Sequence, residues 1–191
     1  MKVIVVAGTC PFVLSSLHRP SNVDDEARLA GILRALDTLS QELNVVLPLH
    51  PRTRSRVVAF GLEPLLARLH VLSPLGYLEM VAATDAAAVA VTDSGGVQEE
   101  TTVLGVPRVT VREQTERPVT VTHGTNHPVS WPLTTEGVVA AVHEALRRGR
   151  RAVGELAGVG RARRGADLGG ARTGHALTPM AHPRTSTFAW S

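Results

Sequence analysis

The sequence predicts an α/β fold in which a parallel sheet is covered by helices on both faces. Short apolar segments alternate with longer segments of helical periodicity from residue 12 to residue 148, and the chain is 43% hydrophobic. Strands joined by helices form parallel sheets, because a parallel neighbour needs a crossover of about a dozen residues. A length of 191 residues suffices for one such domain and is short for two. We therefore predict a Rossmann-like, three-layer αβα domain at residues 12–150.

The first predicted helix has the clearest apolar face. Ser21, Asn22 and Asp24 are candidates for its N-cap, and the run Asp24-Asp25-Glu26 places negative charge near its positive end. We expect this helix to bury one side, which is formed by apolar residues at helical spacing. The members of that side are Leu29, Ile32, Leu33, Leu36, Leu39 and Leu43.

The other elements follow from the same two patterns, with short apolar runs predicting strands and periodic segments predicting helices. In chain order they are a strand at 12–17, a strand at 44–47, helices at 54–60 and 64–69, a strand at 70–72, a helix at 76–83, a strand at 86–91, a helix at 96–104, a strand at 108–111 and a helix at 135–148.

Both ends of the chain depart from this pattern. A strand is also predicted at residues 2–6, but only five residues separate it from the next strand, so the two cannot be parallel neighbours. We therefore assign residues 1–11 to a separate segment. Residues 151–191 are rich in Gly, Ala and Arg without sustained apolar periodicity, and we predict that this basic tail is mostly disordered.

The basic charge is concentrated near the end of the chain. Residues 147–191 carry nine arginines and two acidic residues, whereas residues 1–146 carry eleven basic and fifteen acidic residues. Nucleic-acid-binding domains usually cluster basic side chains on a folded face, often with aromatic residues, which make up only 3% of this chain. We therefore predict no specific nucleic-acid binding, although the isoelectric point is near 9.9.

Membrane, secretory and metal-binding features are not visible in the sequence. No apolar run approaches the roughly 20 residues that span a bilayer, and the first residues lack the long apolar core of a signal peptide. Cys10 is the only cysteine, which excludes an internal disulfide and is compatible with a reducing compartment. No His, Cys, Asp or Glu cluster has metal-ligand spacing. We predict a cytoplasmic protein without a metal site or a membrane partner.

Residues 91–100 form the most informative motif. The segment Val-Thr-Asp-Ser-Gly-Gly-Val-Gln-Glu-Glu places a turn of small residues between a buried strand and a helix. At the carboxyl end of a parallel strand, such a turn faces the ligand crevice, where backbone amides and a helix N-terminus favour a phosphate. Ser94 can add a hydroxyl donor, and Glu100 lies one helical turn beyond Gly96, where it can accept from ribose hydroxyls. An ordinary strand-to-helix turn with an N-cap is the alternative.

Residues 93–100 resemble the Asp-Ser-Gly-Gly-(Ile/Val)-Gln-Glu-Glu motif of the non-hydrolysing UDP-N-acetylglucosamine 2-epimerases. Further segments match in order at residues 17–22, 48–51, 73–78, 115–118 and 124–126. The resemblance implies the UDP-binding second domain of a two-domain, glycosyltransferase-B-like fold. It also implies an isomerase that interconverts UDP-GlcNAc and UDP-ManNAc by eliminating and re-adding UDP. No cofactor, a homodimer and a role in cell-surface polysaccharide biosynthesis are implied as well.

The resemblance assigns roles in binding UDP to five residues. Ser94, Gly95 and Gly96 match diphosphate-binding positions. Glu100 matches a ribose contact, and Arg117 matches a cationic contact to UDP. The fixed fork of a guanidinium suits phosphate oxygens, which it can bind through two hydrogen bonds.

The resemblance places five more residues around the substrate. His18 matches the active-site histidine of the family, which lies beside the diphosphate and the sugar. Arg19 and His50 match positions associated with substrate or allosteric UDP-GlcNAc contacts. Leu75 and Met80 are expected to border the uracil, although ordinary helix core is an equal alternative for Met80.

Two departures from the family pattern concern catalysis. Ser21 stands where the family usually has Glu, which removes a carboxylate near the reaction centre. Residues 1–11 resemble the extreme N-terminus of the family, with Cys10 in place of a nucleotide-contacting Arg, and the second-domain strand follows at once. Most of the first domain, with its catalytic Asp and Glu residues, has no counterpart in the sequence. We therefore expect a truncated form without detectable epimerisation.

The sequence leaves three functions open. The first is a UDP-N-acetylglucosamine 2-epimerase in a truncated form, with a hydrolysing enzyme that releases free ManNAc as a near variant. The second is a remnant that binds UDP or a UDP-sugar and catalyses nothing. The third is a glycosyltransferase that uses the same nucleotide-binding half, which would need an acceptor domain that is not encoded here.

Overall fold

The computed structural model describes residues 10–113 and 125–151, with the backbone alone at positions 98 and 99. Its strands are Phe12–Ser16 (β1), Asn44–Pro48 (β2), His70–Leu72 (β3), Val89–Thr92 (β4), Arg108–Thr110 (β5) and Asn126–Pro128 (β6). All pairings are parallel, and the strands form one sheet in the order β3-β2-β1-β4-β5-β6. The predicted parallel α/β architecture is thus confirmed.

The described helices follow the predicted alternation with three differences. They are Pro20–Val23 (α1), Glu26–Leu39 (α2), Pro51–Ala59 (α3), Tyr77–Ala86 (α4), Val97–Leu104 (α5) and Thr135–Arg148 (α6). The helix predicted at 64–69 is instead a 3-10 turn at Glu63–Leu66. Helix α1 and strand β6 were not predicted, because three or four residues are too few to show a periodicity. None of the described helices is long and apolar enough to cross a bilayer.

The larger core lies on the sheet face that packs against α2 and α6. Val13, Val45 and Val89 are paired in register, so they point to the same face, and all three are fully buried. The apolar side predicted for the first helix packs into this core, with Leu43 at its margin. Each fully buried aliphatic side chain contributes about 1.5–3 kcal/mol. This face therefore supplies most of the hydrophobic stabilisation.

The opposite face of the sheet has a smaller apolar cluster. Phe12, Leu14 and Val46 from the strands pack there with Ala83 and Ala87, which lie in α4 and directly after it. Helix α4 therefore covers the β1–β2 part of this face.

Further along the same face, a charged side chain is fully buried. Arg108 donates from Nε to Thr110 Oγ1 at 3.0 Å and from Nη1 to Thr101 Oγ1 at 3.2 Å. Its Nη2 atom has no hydrogen-bond partner among the described residues. Burial lowers the pKa of Arg108 to about 10, because removal from water disfavours the charged form.

The strand order determines where a ligand can bind. From β1 the chain continues to β2 and β3 on one side and then returns to β4 on the other side of β1. The carboxyl ends of β1 and β4 lie side by side, since Ser16 pairs with Thr92. In doubly wound sheets, ligands bind in the crevice outside the strand ends at such a reversal. The loops after β1 and β4 are therefore the candidate site.

Candidate functional site

The buried carboxylate of Asp93 joins the loops that follow β1 and β4. Asp93 is the first residue after β4, and its side chain is fully buried. It accepts hydrogen bonds from the backbone amides of His18 at 3.2 Å and Arg19 at 3.0 Å, and from Asn22 Nδ2 at 3.2 Å. Bonds from N–H groups to an ionised carboxylate are stronger than neutral ones. The β1 loop is therefore held firmly against the β4 loop.

Asn22 extends this network to the loop that follows strand β5. In addition to Asp93, its Nδ2 donates to the carbonyl of Val111 at 2.9 Å, directly after β5. Asn22 is buried, so its amide satisfies two acceptors away from water. The loops after β1, β4 and β5 thus share one hydrogen-bond network.

The glycine turn, Ser94–Gly96, follows Asp93 and carries three backbone amides at the start of helix α5. The amide of Ser94 donates to Thr92 Oγ1 at 3.0 Å. Within the described part of the chain, no acceptor is recorded for the amides of Gly95 and Gly96. Helix α5 begins at Val97, so its positive end points to the same place. Two donors and a helix N-terminus make this turn suitable for an anion.

The backbone conformation does not require glycine at position 96. Its φ of −67° and ψ of −44° are helical, and a Cβ added there would meet nothing closer than the Ser94 hydroxyl at 4.0 Å. Glycine is also useful where a ligand must approach the backbone closely. Gly96 therefore leaves open space at the start of α5 for a bound group.

His18 and His50 lie together beside this turn. Their ring centroids are 5.9 Å apart, and His18 Nδ1 is 3.4 Å from Asp93 Oδ1. His50 is exposed and caps α3 by accepting the amide of Arg52 at Nδ1. The start of α3 is tied to the β1 loop, because Thr53 Oγ1 donates to the carbonyl of Leu17. The structure thus brings the two predicted histidines to the same crevice.

Next to His50, an acidic residue compensates the basic residues of α3. Asp24 forms ion pairs with Arg52 and with Arg56, the latter at 2.9 Å. The hydrogen bond from Arg52 is the main reason why the pKa of Asp24 lies below its ordinary value. Arg52 and Arg56 therefore contribute less net positive charge to the crevice than the sequence suggests.

The two residues predicted at the uracil lie on the sheet face that α4 covers, and α4 packs against α5. Leu75, in the loop after β3, and Met80, in α4, are partly buried and pack against the apolar cluster around Phe12. No contact between them and the glycine turn is recorded. Met80 occupies the core position that the sequence left as an alternative.

Two further predicted residues, Glu100 and Arg19, belong to the described part of the chain. Glu100 lies in α5 and is partly buried. Arg19 is also partly buried, and its backbone amide is bound to Asp93. Arg117 lies outside the described residues, so its predicted contact with UDP stays a prediction.

Sequence analysis missed Asp93 and Asn22 as parts of the site. The signal that could have found Asp93 is its position as an acidic residue directly after a buried strand. Both residues belong to segments that match the family, but only the fold shows that their side chains meet. Among residues 10–113 and 125–151, no group of three His, Cys, Asp or Glu residues is arranged to hold a metal ion.

Comparison with known proteins identifies the family. Residues 3–163 match the family model described as UDP-N-acetylglucosamine 2-epimerase. The chain is 40% identical over 152 residues to a UDP-2,3-diacetamido-2,3-dideoxy-D-glucuronate 2-epimerase of Pseudomonas aeruginosa, covering 79% of this chain and 42% of the relative. It is 39% identical over 144 residues to a UDP-N-acetylglucosamine 2-epimerase of Methanococcus maripaludis, covering 73% of this chain and 39% of the relative. The chain thus spans less than half the length of these relatives.

Solved structures agree with this assignment. The UDP-GlcNAc 2-epimerase of Methanocaldococcus jannaschii superimposes with a TM-score of 0.73 at 32% identity, over 84% of this chain and 47% of that protein. The same enzyme in complex with UDP-GlcNAc and UDP gives a TM-score of 0.69. The heptosyltransferase II of E. coli, 13% identical with a TM-score of 0.56, shares the fold alone. On the family match, the sequence identity and the fold, the chain belongs to the UDP-N-acetylglucosamine 2-epimerase family.

Proposed function

We propose that this chain binds the UDP part of a UDP-linked 2-acetamido sugar and forms the nucleotide-binding half of a UDP-N-acetylglucosamine 2-epimerase. The observation that carries the proposal is the pair of amides at Gly95 and Gly96, for which the described residues offer no recorded acceptor and which lie at the start of α5 beside the β1–β4 reversal. A diphosphate supplies the acceptors and the negative charge that these groups favour.

We propose a part of the ligand for each side of the crevice. The diphosphate would bind the Ser94–Gly96 turn, with His18 on the β1 side. Glu100 would accept from the ribose hydroxyls, and Arg117 would bind a phosphate oxygen. Of the residues predicted at the uracil, Leu75 is the better candidate, because it lies in a loop after β3 rather than within a helix.

The proposed reaction divides into two chemical tasks. Interconversion of UDP-GlcNAc and UDP-ManNAc eliminates UDP and adds it back to the sugar, which needs a base at C2 and stabilisation of the departing diphosphate. The crevice of this chain suits the second task. We assign the complete reaction to a protein of the relatives' length, since this chain spans 42% of one relative and 39% of the other.

A titration with UDP and uridine tests the proposal. Wild-type protein is expected to bind UDP much more tightly than uridine, because only UDP carries the diphosphate. Replacement Arg117→Ala should weaken UDP by about tenfold or more, corresponding to a charged hydrogen bond worth about 1.5–3 kcal/mol. Arg54→Ala, at an exposed arginine of α3, is the matched control and should not change the affinity. Equal affinity of the wild type for UDP and uridine would contradict the proposal.

A turnover assay distinguishes the proposed enzyme from a protein that only binds UDP. Incubation of a protein of the relatives' length with UDP-GlcNAc, followed by NMR at the anomeric proton, should show conversion to UDP-ManNAc, whereas this chain alone should show none. Free ManNAc as the product would instead indicate the hydrolysing variant. The heptosyltransferase neighbour gives no support for a glycosyltransferase function, because it shares only the fold.

The cellular setting is also proposed. Nucleotide sugars and a single exposed cysteine suit the cytoplasm, and an epimerised 2-acetamido sugar suits the synthesis of cell-surface polysaccharides. A homodimer is proposed from the family resemblance. Sedimentation analysis of the purified protein would test the oligomeric state.

A further inference from the structure

We propose that Asp93 is a positioning residue, which fixes the β1 loop and orients the imidazole of His18 with Nδ1 toward the protein and Nε2 toward the crevice. The Asp93 carboxylate is fully buried, whereas the His18 side chain is 40% exposed. The carboxylate is therefore the fixed partner and the imidazole is the group that faces the solvent.

Asp93 can meet the His18 ring only as a hydrogen-bond acceptor. Both carboxylate oxygens already accept N–H groups, from the amides of His18 and Arg19 and from Asn22. An ionised carboxylate can only accept. The imidazole nitrogen that lies 3.4 Å from Oδ1 is Nδ1. A hydrogen on Nδ1 makes this contact attractive, whereas a lone pair there would repel the carboxylate, so we infer that Nδ1 carries the hydrogen in the neutral ring.

This arrangement leaves the second ring nitrogen available for chemistry. The structure records no hydrogen bond for His18 Nε2 among the described residues. His50 is the other titratable group that faces the ring, at 5.9 Å between centroids. With Nδ1–H directed at Asp93, a neutral Nε2 presents a lone pair to the crevice. It can accept a proton from solvent and then donate it in a hydrogen bond to a diphosphate oxygen.

The conservative variant D93N distinguishes a role of Asp93 in orienting the His18 ring from a role in stabilising the fold alone. The introduced carboxamide has one acceptor and one donor side. The Oδ2 position meets three N–H donors, from the amides of His18 and Arg19 and from Asn22, whereas the Oδ1 position meets only the shared His18 amide. We therefore expect the NH₂ group to replace Oδ1 and to face the His18 ring. The carboxamide then donates to Nδ1, which moves the ring hydrogen to Nε2. A residue that only stabilises the fold would not change the tautomer of His18.

Nitrogen NMR of the histidine rings tests this directly. We would label the histidines with ¹⁵N and record long-range ¹H–¹⁵N spectra at about pH 8.5, well above the pKa of a model histidine peptide. The His18 signals would be assigned by their loss in H18N. Wild-type protein should show the hydrogen on Nδ1, and D93N should show it on Nε2. The same tautomer in both proteins would overturn the proposal.

Asn22→Ala is the matched control for this experiment. It removes one bond to Asp93 but leaves the carboxylate beside Nδ1. We expect it to lower the melting temperature while the His18 hydrogen stays on Nδ1. A tautomer change in N22A as large as in D93N would show that loosening the loop is sufficient, and would contradict a specific role of Asp93.

A second measurement tests how the tautomer of His18 affects proton uptake when UDP binds, and it rests on the proposed function. Calorimetry of UDP binding near pH 8, in buffers of different ionisation enthalpy, counts the protons taken up. We expect the wild type to take up about one proton, and D93N to take up about none, since its Nε2 already carries a hydrogen. Equal proton uptake by the wild type and D93N would contradict the proposal that Nε2 accepts a proton from solvent when UDP binds. Absence of UDP binding by the wild type would refute the proposed function, whereas the tautomer experiment would still decide the role of Asp93.

Discussion

Replacing Gly96 with alanine separates ligand binding from folding. The backbone at Gly96 is already helical, with a φ of −67° and a ψ of −44°. Among the described residues, the neighbour of the added methyl group would be the Ser94 hydroxyl, at 4.0 Å. Alanine is favoured over glycine at helical dihedral angles by about 0.5–1 kcal/mol, whereas glycine is preferred at the N-cap, which is the position of Gly96. The two effects oppose each other, so the free energy of unfolding should change by about 1 kcal/mol or less. The folded protein should therefore tolerate the substitution.

The effect on UDP should be much larger than the effect on stability. The methyl group would occupy the space through which a phosphate oxygen approaches the amide of Gly96. Loss of one hydrogen bond to a charged group costs about 1.5–3 kcal/mol, which corresponds to an increase of about 10- to 150-fold in Kd. Uridine has no diphosphate, so its affinity should not change.

The assay is calorimetric titration of the wild type and the variant with UDP, combined with thermal unfolding. Gly31→Ala is the matched control, since Gly31 lies within α2 and its added Cβ would contact only Leu133 Cδ2 at 3.6 Å. This control should bind UDP like the wild type. If G96A melts within a few degrees of the wild type and binds UDP within twofold of it, the turn does not hold the diphosphate.

Three further predictions concern stability and turnover. Arg108→Met should raise the free energy of unfolding in urea by on the order of 1 kcal/mol, because it removes a buried cation without an acidic partner among the described residues; a loss of stability would contradict this. Burial, with a smaller contribution from Arg148, lowers the pKa of His127, so the stability that this residue contributes is present above about pH 6.5 and is lost as the pH falls. In His127→Gln, the fall in melting temperature from pH 7.5 to pH 5.5 should be smaller than in the wild type, and an equal fall would argue against this cause. The 191-residue chain should bind UDP without converting UDP-GlcNAc, so anomeric NMR signals of UDP-ManNAc would disprove this prediction.

The fold could be predicted from the sequence because its main elements are long and regular. The apolar side from Leu29 to Leu39 is buried as expected, and the alternation of strands and helices gives the parallel sheet. Strand β6 was not predicted, because Asn126–Pro128 has no apolar run and pairs through its backbone with β5. The burial of Arg108 was not predicted either, since a charged residue at the start of a strand usually lies in solvent.

The candidate site was only partly predictable. The glycine turn and His18 were found because contiguous residues form recognisable motifs. The bond between Asp93 and Asn22 joins residues 71 positions apart, and no local pattern shows which side chains a sheet brings together. The sequence could not decide the role of Met80 either. A helical position beside a predicted pocket shows the same pattern whether its side chain faces a ligand or the core.

The central claim is that the amides of the glycine turn bind the diphosphate of UDP. The most direct measurement is a titration of protein labelled with ¹⁵N-glycine, in which the amide signals are followed by NMR as UDP is added. The signals of Gly95 and Gly96 should move most, whereas those of Gly31 and Gly61 should hardly move, because they lie in α2 and after α3. Saturable UDP binding that leaves Gly95 and Gly96 unmoved would contradict the claim.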